Sequence, residues 1–152
     1  HPLLKSDAIE AVKKLLFPLA LVVTPNVHEA QQLSGIKITS LADARRAAKV
    51  IHGFGCQHVL IKGGHLLAER GTDLLYDGRF FNIFKTEFIE TSHTHGTGCT
   101  FASAIAAHLA RGRSVVDAVE TAKAYVTEAI RHGLGIGHGS GPTNHFYFLA
   151  EP

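Results

Sequence analysis

Leu19-Ala20-Leu21-Val22-Val23-Thr24-Pro25-Asn26-Val27-His28-Glu29 is the stretch whose reading decides the fold. Leu19 to Val23 is a short continuous apolar run, the pattern of a strand buried on both faces. Thr24-Pro25 ends it. Asn26 can then cap a helix that runs to Leu33 or Ser34 and closes at Gly35. A buried strand that feeds directly into a helix is the unit of an α/β protein.

The same alternation extends in both directions. Upstream, residues 5 to 17 carry apolar side chains at 8, 9, 12, 15 and 16, which predicts a helix stopped by Pro18. Downstream, Ser40 with Asp43 forms a capping box for a helix with Leu41, Ala44, Ala47, Ala48 and Ile51 as its inner stripe; Gly53 and Gly55 close it. His58 to Ile61 is a second buried strand, and it enters Lys62-Gly63-Gly64-His65 directly. Leu74 to Tyr76, the turn Asp77-Gly78, and Arg79 to Phe84 read as a hairpin, followed by an extended piece through Ile89. His95-Gly96-Thr97-Gly98-Cys99-Thr100 opens a helix from Thr100 to about Ala110 that is apolar nearly all round, and so is expected to be buried on most sides. Ser114 with Asp117 caps a last helix that ends at Gly133, and residues 133 to 142 form a glycine-rich, flexible-looking tail. The expected architecture is a layered α/β fold with a mainly parallel sheet. Two sheet-core strands and a hairpin make a thin sheet for so many helices, as if strands were missing.

The chain has 152 residues, 45% of them hydrophobic, with 15 Lys and Arg against 13 Asp and Glu. Charges are spread without runs of one sign, which argues against disorder, a coiled coil and a dedicated nucleic-acid surface. No stretch approaches the roughly eighteen apolar residues of a membrane span, and no signal peptide is recognisable, so a cytoplasmic protein is expected. Two cysteines, Cys56 and Cys99, are too few for a disulfide framework. The absence of Met and the opening His1-Pro2-Leu3-Leu4 point to a missing upstream portion. No repeat or linker divides residues 1–152, which read as part of one domain.

The strongest chemical signal is Gly96-Thr97-Gly98-Cys99 at a helix entrance. Glycines let backbone N–H groups converge and the helix N-terminus adds partial positive charge, so phosphate is the natural guest. The same field favours the thiolate of Cys99, which can then serve as base or nucleophile. The plainer alternative is a glycine-rich turn with Cys99 as a packing residue. Neither a P-loop nor a dinucleotide fingerprint is present: no glycine precedes Lys and Ser or Thr, and Phe101 stands where a third glycine is needed. Asn26 and Glu29 share a side of the first helical turn after a strand end, where Glu29 can hold Mg²⁺ through water while Asn26 orients it. Simple capping explains the same pair. Lys62 beside Gly63 and Gly64 suits nucleotide phosphate or a mere chain reversal. Lys123 falls in the apolar stripe of the last helix, where it must snorkel or meet an anion. The spacing of His93, His95 and Cys99 fits no standard zinc pattern.

In combination, Thr24-Pro25-Asn26-x-x-Glu29-Ala30, Ile61-Lys62-Gly63-Gly64-His65, Thr94-His95-Gly96-Thr97-Gly98-Cys99-Thr100, Ala122-Lys123-Ala124-Tyr125 and Gly139-x-Gly141-Pro142-x-x-His145 resemble the hydroxymethylpyrimidine/phosphomethylpyrimidine kinases of thiamine biosynthesis, in the ribokinase-like superfamily. The resemblance implies a three-layer α/β/α fold and ATP-dependent phosphorylation of hydroxymethylpyrimidine, then of its monophosphate. It implies that Gly96, Thr97 and Gly98 form the anion hole, with Cys99 as base where sugar kinases of the superfamily carry aspartate. It also implies that Glu29 with Asn26 organises Mg²⁺, that Lys62, Gly63 and Gly64 meet nucleotide phosphate, and that Lys123 offsets developing charge. Family members run to roughly 250 residues or more, as a larger α/β domain would. Their amino-terminal half carries the pyrimidine-binding segment, so this chain resembles the carboxyl-terminal part, and half a sheet should expose an edge and be poorly stable or associate. The expected partners are small-molecule substrates, with no nucleic acid and no membrane, and family analogy suggests a homodimer. The alternatives are a pyridoxal kinase of the same superfamily and a nucleotide-binding module without turnover.

Overall fold

In a computed structural model, residues 6–63, 70–136 and 138–149 are described. The chain forms two compact units, His1–Lys85 and Thr86–Pro152.

The first unit contains α1 (Ser6–Ala11), β1 (Val22–Val23), α2 (Val27–Ser34), α3 (Leu41–His52), β2 (His58–Lys62), β3 (Thr72–Tyr76) and β4 (Phe81–Lys85). Its sheet has the order β1-β2-β3-β4. β1 and β2 are parallel, whereas β2 with β3 and β3 with β4 are antiparallel. The α/β class holds, and the sheet described is mixed rather than mainly parallel, because the hairpin contributes two of its four strands. Val59, Ile61, Leu74 and Tyr76 pack with Ala30, Ala44, Ala47, Ala48 and Ile51 of α2 and α3 in one core. Leu60 and Leu75 face each other in register on the opposite side of the sheet and are as fully buried. Burial on both faces explains why β2 reads as a continuous apolar run.

Three sequence expectations for this unit are corrected. The first helix does not stop at Pro18. It widens into a π segment (Val12–Leu16), where the Phe17 N–H reaches the Val12 carbonyl, then tightens into a 3₁₀ turn (Phe17–Leu19) that contains Pro18. Proline has no N–H to give an i→i−4 bond, and a 3₁₀ turn accommodates it near its start. The run Leu19 to Val23 is not a strand buried on both faces: only Val22 and Val23 pair, both half-buried, and Leu19 is 82% exposed. Among the described residues, β1 pairs with β2 alone and lies at one edge of the sheet. The hairpin turn spans residues 77–80, because Asp77 Oδ1 accepts from the N–H groups of Arg79 (2.7 Å) and Phe80 (2.6 Å).

The second unit is built on α4 (Thr97–Ala110) and α5 (Val115–Arg131), with a 3₁₀ turn at Tyr147–Leu149. Residues 86–90 join no strand. α5 follows its Ser114 cap and buries Ala118, Val119, Ala122, Lys123, Val126 and Ala129. α4 begins three residues earlier than its apolar run suggests and buries only Thr100, Phe101 and Ile105. Its all-round apolarity comes from alanines, which cost little when exposed, and so overstates its burial. The glycine-rich tail is anchored on both sides of its centre: the Leu134 N–H donates to the Pro142 carbonyl (3.1 Å), and the Asn144 N–H to the Ala129 carbonyl (2.9 Å). No helix among the described residues is long and apolar enough to cross a membrane.

Candidate functional site

In the first unit, the parallel pairing of β1 and β2 brings their carboxyl ends together, the edge where open α/β sheets hold ligands. Asn26 and Lys62 form a parallel bridge there, and the Lys62 N–H donates to the Pro25 carbonyl at 2.9 Å. Asn26 caps α2 in a full capping box: the Glu29 N–H donates to Asn26 Oδ1 (2.9 Å), and the Asn26 N–H to Glu29 Oε2 (2.7 Å). Glu29 is exposed and Asn26 half-buried. The capping explanation of this pair is thus observed, and the box engages one of the two carboxylate oxygens.

Lys62 ends β2. The next N–H, of Gly63, donates to Asp73 Oδ1 at 2.9 Å, which commits that donor to the protein itself. Asp73 stands opposite Lys62 in the antiparallel ladder and is only 6% exposed. Sequence reasoning missed it. The signal was a carboxylate inside the otherwise buried strand Thr72–Tyr76, since a charge so placed needs partners. Gly64, and His65 beside it, lie outside the described residues.

In the second unit, Gly96 is the N-cap of α4 at φ 84°, in the left-handed region that glycine adopts without strain. It has no side chain to cap the helix. The N–H groups of Gly98 and Cys99, at the second and third helical positions, are therefore presented to an incoming acceptor at the positive end of a 14-residue helix. The loop is held from within: Thr100 Oγ1 donates to the Gly96 carbonyl (2.9 Å) and Thr97 Oγ1 to the Thr94 carbonyl (2.7 Å). Gly96, Thr97, Gly98 and Cys99 thus come together as one turn.

The two cysteines differ sharply. Cys99 is exposed, and Cys56 is buried. Burial pushes the Cys56 thiol up, and its Sγ lies 3.7 Å from the Ile51 carbonyl. From Gly96 and Cys99 an open cleft of about 600 Å³ runs along α4, past Ser103 and His108, with Tyr125 and His145 also lining it. The Tyr125 hydroxyl donates to the His145 carbonyl at 3.1 Å. Lys123 is 8% exposed, so it is buried with the core-facing residues of α5 and is absent from the lining of that cleft.

The family model described as phosphomethylpyrimidine kinase matches residues 1–144. The hydroxymethylpyrimidine/phosphomethylpyrimidine kinase of Bacillus subtilis is 48% identical over 147 residues, which cover 96% of this chain and 54% of the relative. Among solved structures, a pyridoxal kinase from Staphylococcus aureus in complex with ADP aligns with a TM-score of 0.91 at 44% identity, over 95% of this chain and 54% of that one. A phosphomethylpyrimidine kinase from Clostridium difficile aligns with a TM-score of 0.72 at 40% identity, over 86% and 52%. The chain spans about half the length of these relatives.

Proposed function

The chain belongs to the phosphomethylpyrimidine kinase family, and from that premise we propose that the enzyme carrying it phosphorylates hydroxymethylpyrimidine with ATP and then phosphorylates the monophosphate, in thiamine biosynthesis. The observation that carries this reading is the first turn of α4: a left-handed Gly96, two uncapped N–H groups and an exposed thiol within four residues.

ATP and Mg²⁺, when bound, supply the phosphoryl group and the positive charge that offsets its oxygens. Glu29 suits such an ion. Its side chain is exposed, the capping box engages Oε2, and Mg²⁺ commonly keeps waters while touching one or two carboxylates. Asn26 fixes the carboxylate through the reciprocal bond of the box. Lys62, at the end of β2, is assigned to nucleotide phosphate, together with Gly63 and Gly64 of the same sequence motif. The N–H groups of Gly98 and Cys99 receive the oxygens of the transferring phosphoryl group, with Gly96 and Thr97 holding the turn open. Cys99, as general base, takes the proton of the attacking hydroxymethyl oxygen on its Sγ as the new P–O bond forms. ADP leaves with the electron pair of the broken bridge. In the second transfer the acceptor is a phosphate oxygen, which is already largely deprotonated at neutral pH. Lys123 offsets charge that develops during transfer.

The reading also places the enzyme in the cytoplasm, as a homodimer acting on small molecules and not on nucleic acid. Two unpaired cysteines fit a reducing compartment and evenly spread charge fits a protein without a nucleic-acid partner, while the homodimer rests on family analogy. A second reading, pyridoxal kinase, is favoured by the higher TM-score with the Staphylococcus aureus enzyme. The test is a substrate panel: the purified enzyme, ATP and Mg²⁺ with hydroxymethylpyrimidine, its monophosphate or pyridoxal. Product from both pyrimidines is expected. Phosphorylation of pyridoxal alone replaces the first reading with the second, and nucleotide binding without any product leaves a binding module.

A further inference from the structure

The segment leading into Gly96 is gripped by the glycine-rich tail. The His95 N–H donates to the Gly141 carbonyl at 3.1 Å, and His95 pairs with Pro142 as a parallel bridge. The ring of His93 fills the space beside two glycines. A methyl group at 133 would come within 2.6 Å of His93 Cβ. One at 141 would overlap His93 Nδ1 and come within 2.7 Å of the Leu134 carbonyl oxygen. Neither glycine has the positive φ that would by itself call for glycine. By contrast, a methyl at 135 would meet nothing within 4 Å. Nδ1 of His93 is buried and makes no hydrogen bond among the described residues, so at that atom shape rather than polarity fits the ring to its place.

We propose that His93 is a positioning residue of the phosphoryl site: its ring, clasped by Gly133 and Gly141, sets the path of residues 93–96 and so the aim of the N–H groups of Gly98 and Cys99. The glycines of the tail are then a requirement of close packing rather than of flexibility. The consequence for turnover rests on the kinase reading above. The consequence for the geometry of the turn does not, because Cys99 reports it directly: it is the exposed thiol of the chain, and Cys56 is buried.

The experiment measures the rate of Cys99 alkylation by iodoacetamide, kcat, and KM for ATP in the purified enzyme and its Gly141→Ala, His93→Ala, His93→Ala/Gly141→Ala and Gly135→Ala variants. Gly141→Ala is expected to change the alkylation rate about fivefold and to lower kcat about tenfold or more, with KM for ATP within about twofold, as misplaced transition-state donors would. Gly135→Ala should match the wild type. The double variant should be less impaired than Gly141→Ala alone, since the ring overlap is gone and only the Leu134 carbonyl contact remains. Wild-type alkylation and kcat in Gly141→Ala, or a double variant whose defect is the product of the two single defects, overturns the proposal. If circular dichroism shows Gly141→Ala to be unfolded, His93→Ala decides: a folded variant with a shifted alkylation rate supports the clasp, and an unchanged rate overturns it. Altered alkylation in an enzyme that transfers no phosphoryl group to any acceptor refutes the kinase reading and leaves the clasp standing.

Discussion

Asn26 and Lys62 face each other as a bridge between the parallel strand ends, with the Lys62 N–H bonded to the carbonyl of Pro25, the neighbour of Asn26. The two residues sit far apart in sequence, and one backbone contact joins the cap of α2 to the end of β2. A change at the cap should therefore be felt in nucleotide affinity as well as in stability. Asn26→Ala removes the side-chain acceptor of the capping box and should cost about 1 kcal/mol, read from denaturant unfolding, with a weaker affinity for ATP. Asn26→Asp keeps the acceptor and should recover the stability.

Asp73 holds the residue that follows Lys62, accepting from the Gly63 N–H at 2.9 Å. Asp73→Ala leaves the Gly63 N–H without its acceptor in a buried strand, at a cost of about 1–3 kcal/mol. The account expects a lower unfolding midpoint and a raised KM for ATP. A variant with native affinity would separate Asp73 from the nucleotide site.

Two half-buried carboxylates tie stability to acid pH. The Ser40 hydroxyl, with the backbone and side chain of Thr39, holds Asp43 below the usual carboxylate range, and the N–H groups of Phe80 and Arg79 do the same for Asp77. A carboxyl group lowered in the folded state contributes stability above its unfolded pKa, and loses it as pH falls through the folded value. Urea unfolding followed from neutral to acid pH should show a smaller loss in Asp43→Asn than in the wild type, with the difference confined to the acid side.

Local features were legible in the sequence. The capping boxes at Asn26 with Glu29 and Ser40 with Asp43, the Ser114 cap, and the left-handed end of α2 at Gly35 all depend on residues within one turn of each other. The strand His58 to Ile61 was equally plain, because burial on both faces writes itself as an unbroken apolar run. The rest depends on partners distant in sequence. Nothing in Leu19 to Val23 says that this strand lies at an edge of the sheet formed by the described residues, and nothing in Thr72–Tyr76 says that Asp73 meets Gly63. The tail reads as flexible because glycine permits many conformations, whereas the folded chain uses Gly141 for its missing side chain against His93. Of the site, the turn Gly96 to Cys99 was legible in kind. Its reach was not: α4 begins at Thr97, so Gly98 and Cys99 belong to the helix itself.

Lys123 is the residue whose role differs most between explanations. It is buried in the middle of α5, so a change there acts on packing as well as on charge. Lys123→Met keeps much of the volume and removes the charge. The account expects a fold that survives by circular dichroism and a kcat lowered by about tenfold or more, as for a lost charge in the transition state; native kcat would remove Lys123 from the reaction.

The central claim is that the Gly96–Cys99 turn receives the phosphoryl group and that Cys99 removes the proton of the attacking alcohol. The most direct measurement is phosphoryl transfer by Cys99→Ala to hydroxymethylpyrimidine and, separately, to its monophosphate, with ATP binding measured on the same protein. The account predicts ATP affinity close to native and transfer to the alcohol slower by about 10²–10⁴-fold, the range expected for loss of a general base. Transfer to the monophosphate, whose acceptor oxygen needs no deprotonation, should fall far less. Native transfer to the alcohol would contradict the claim.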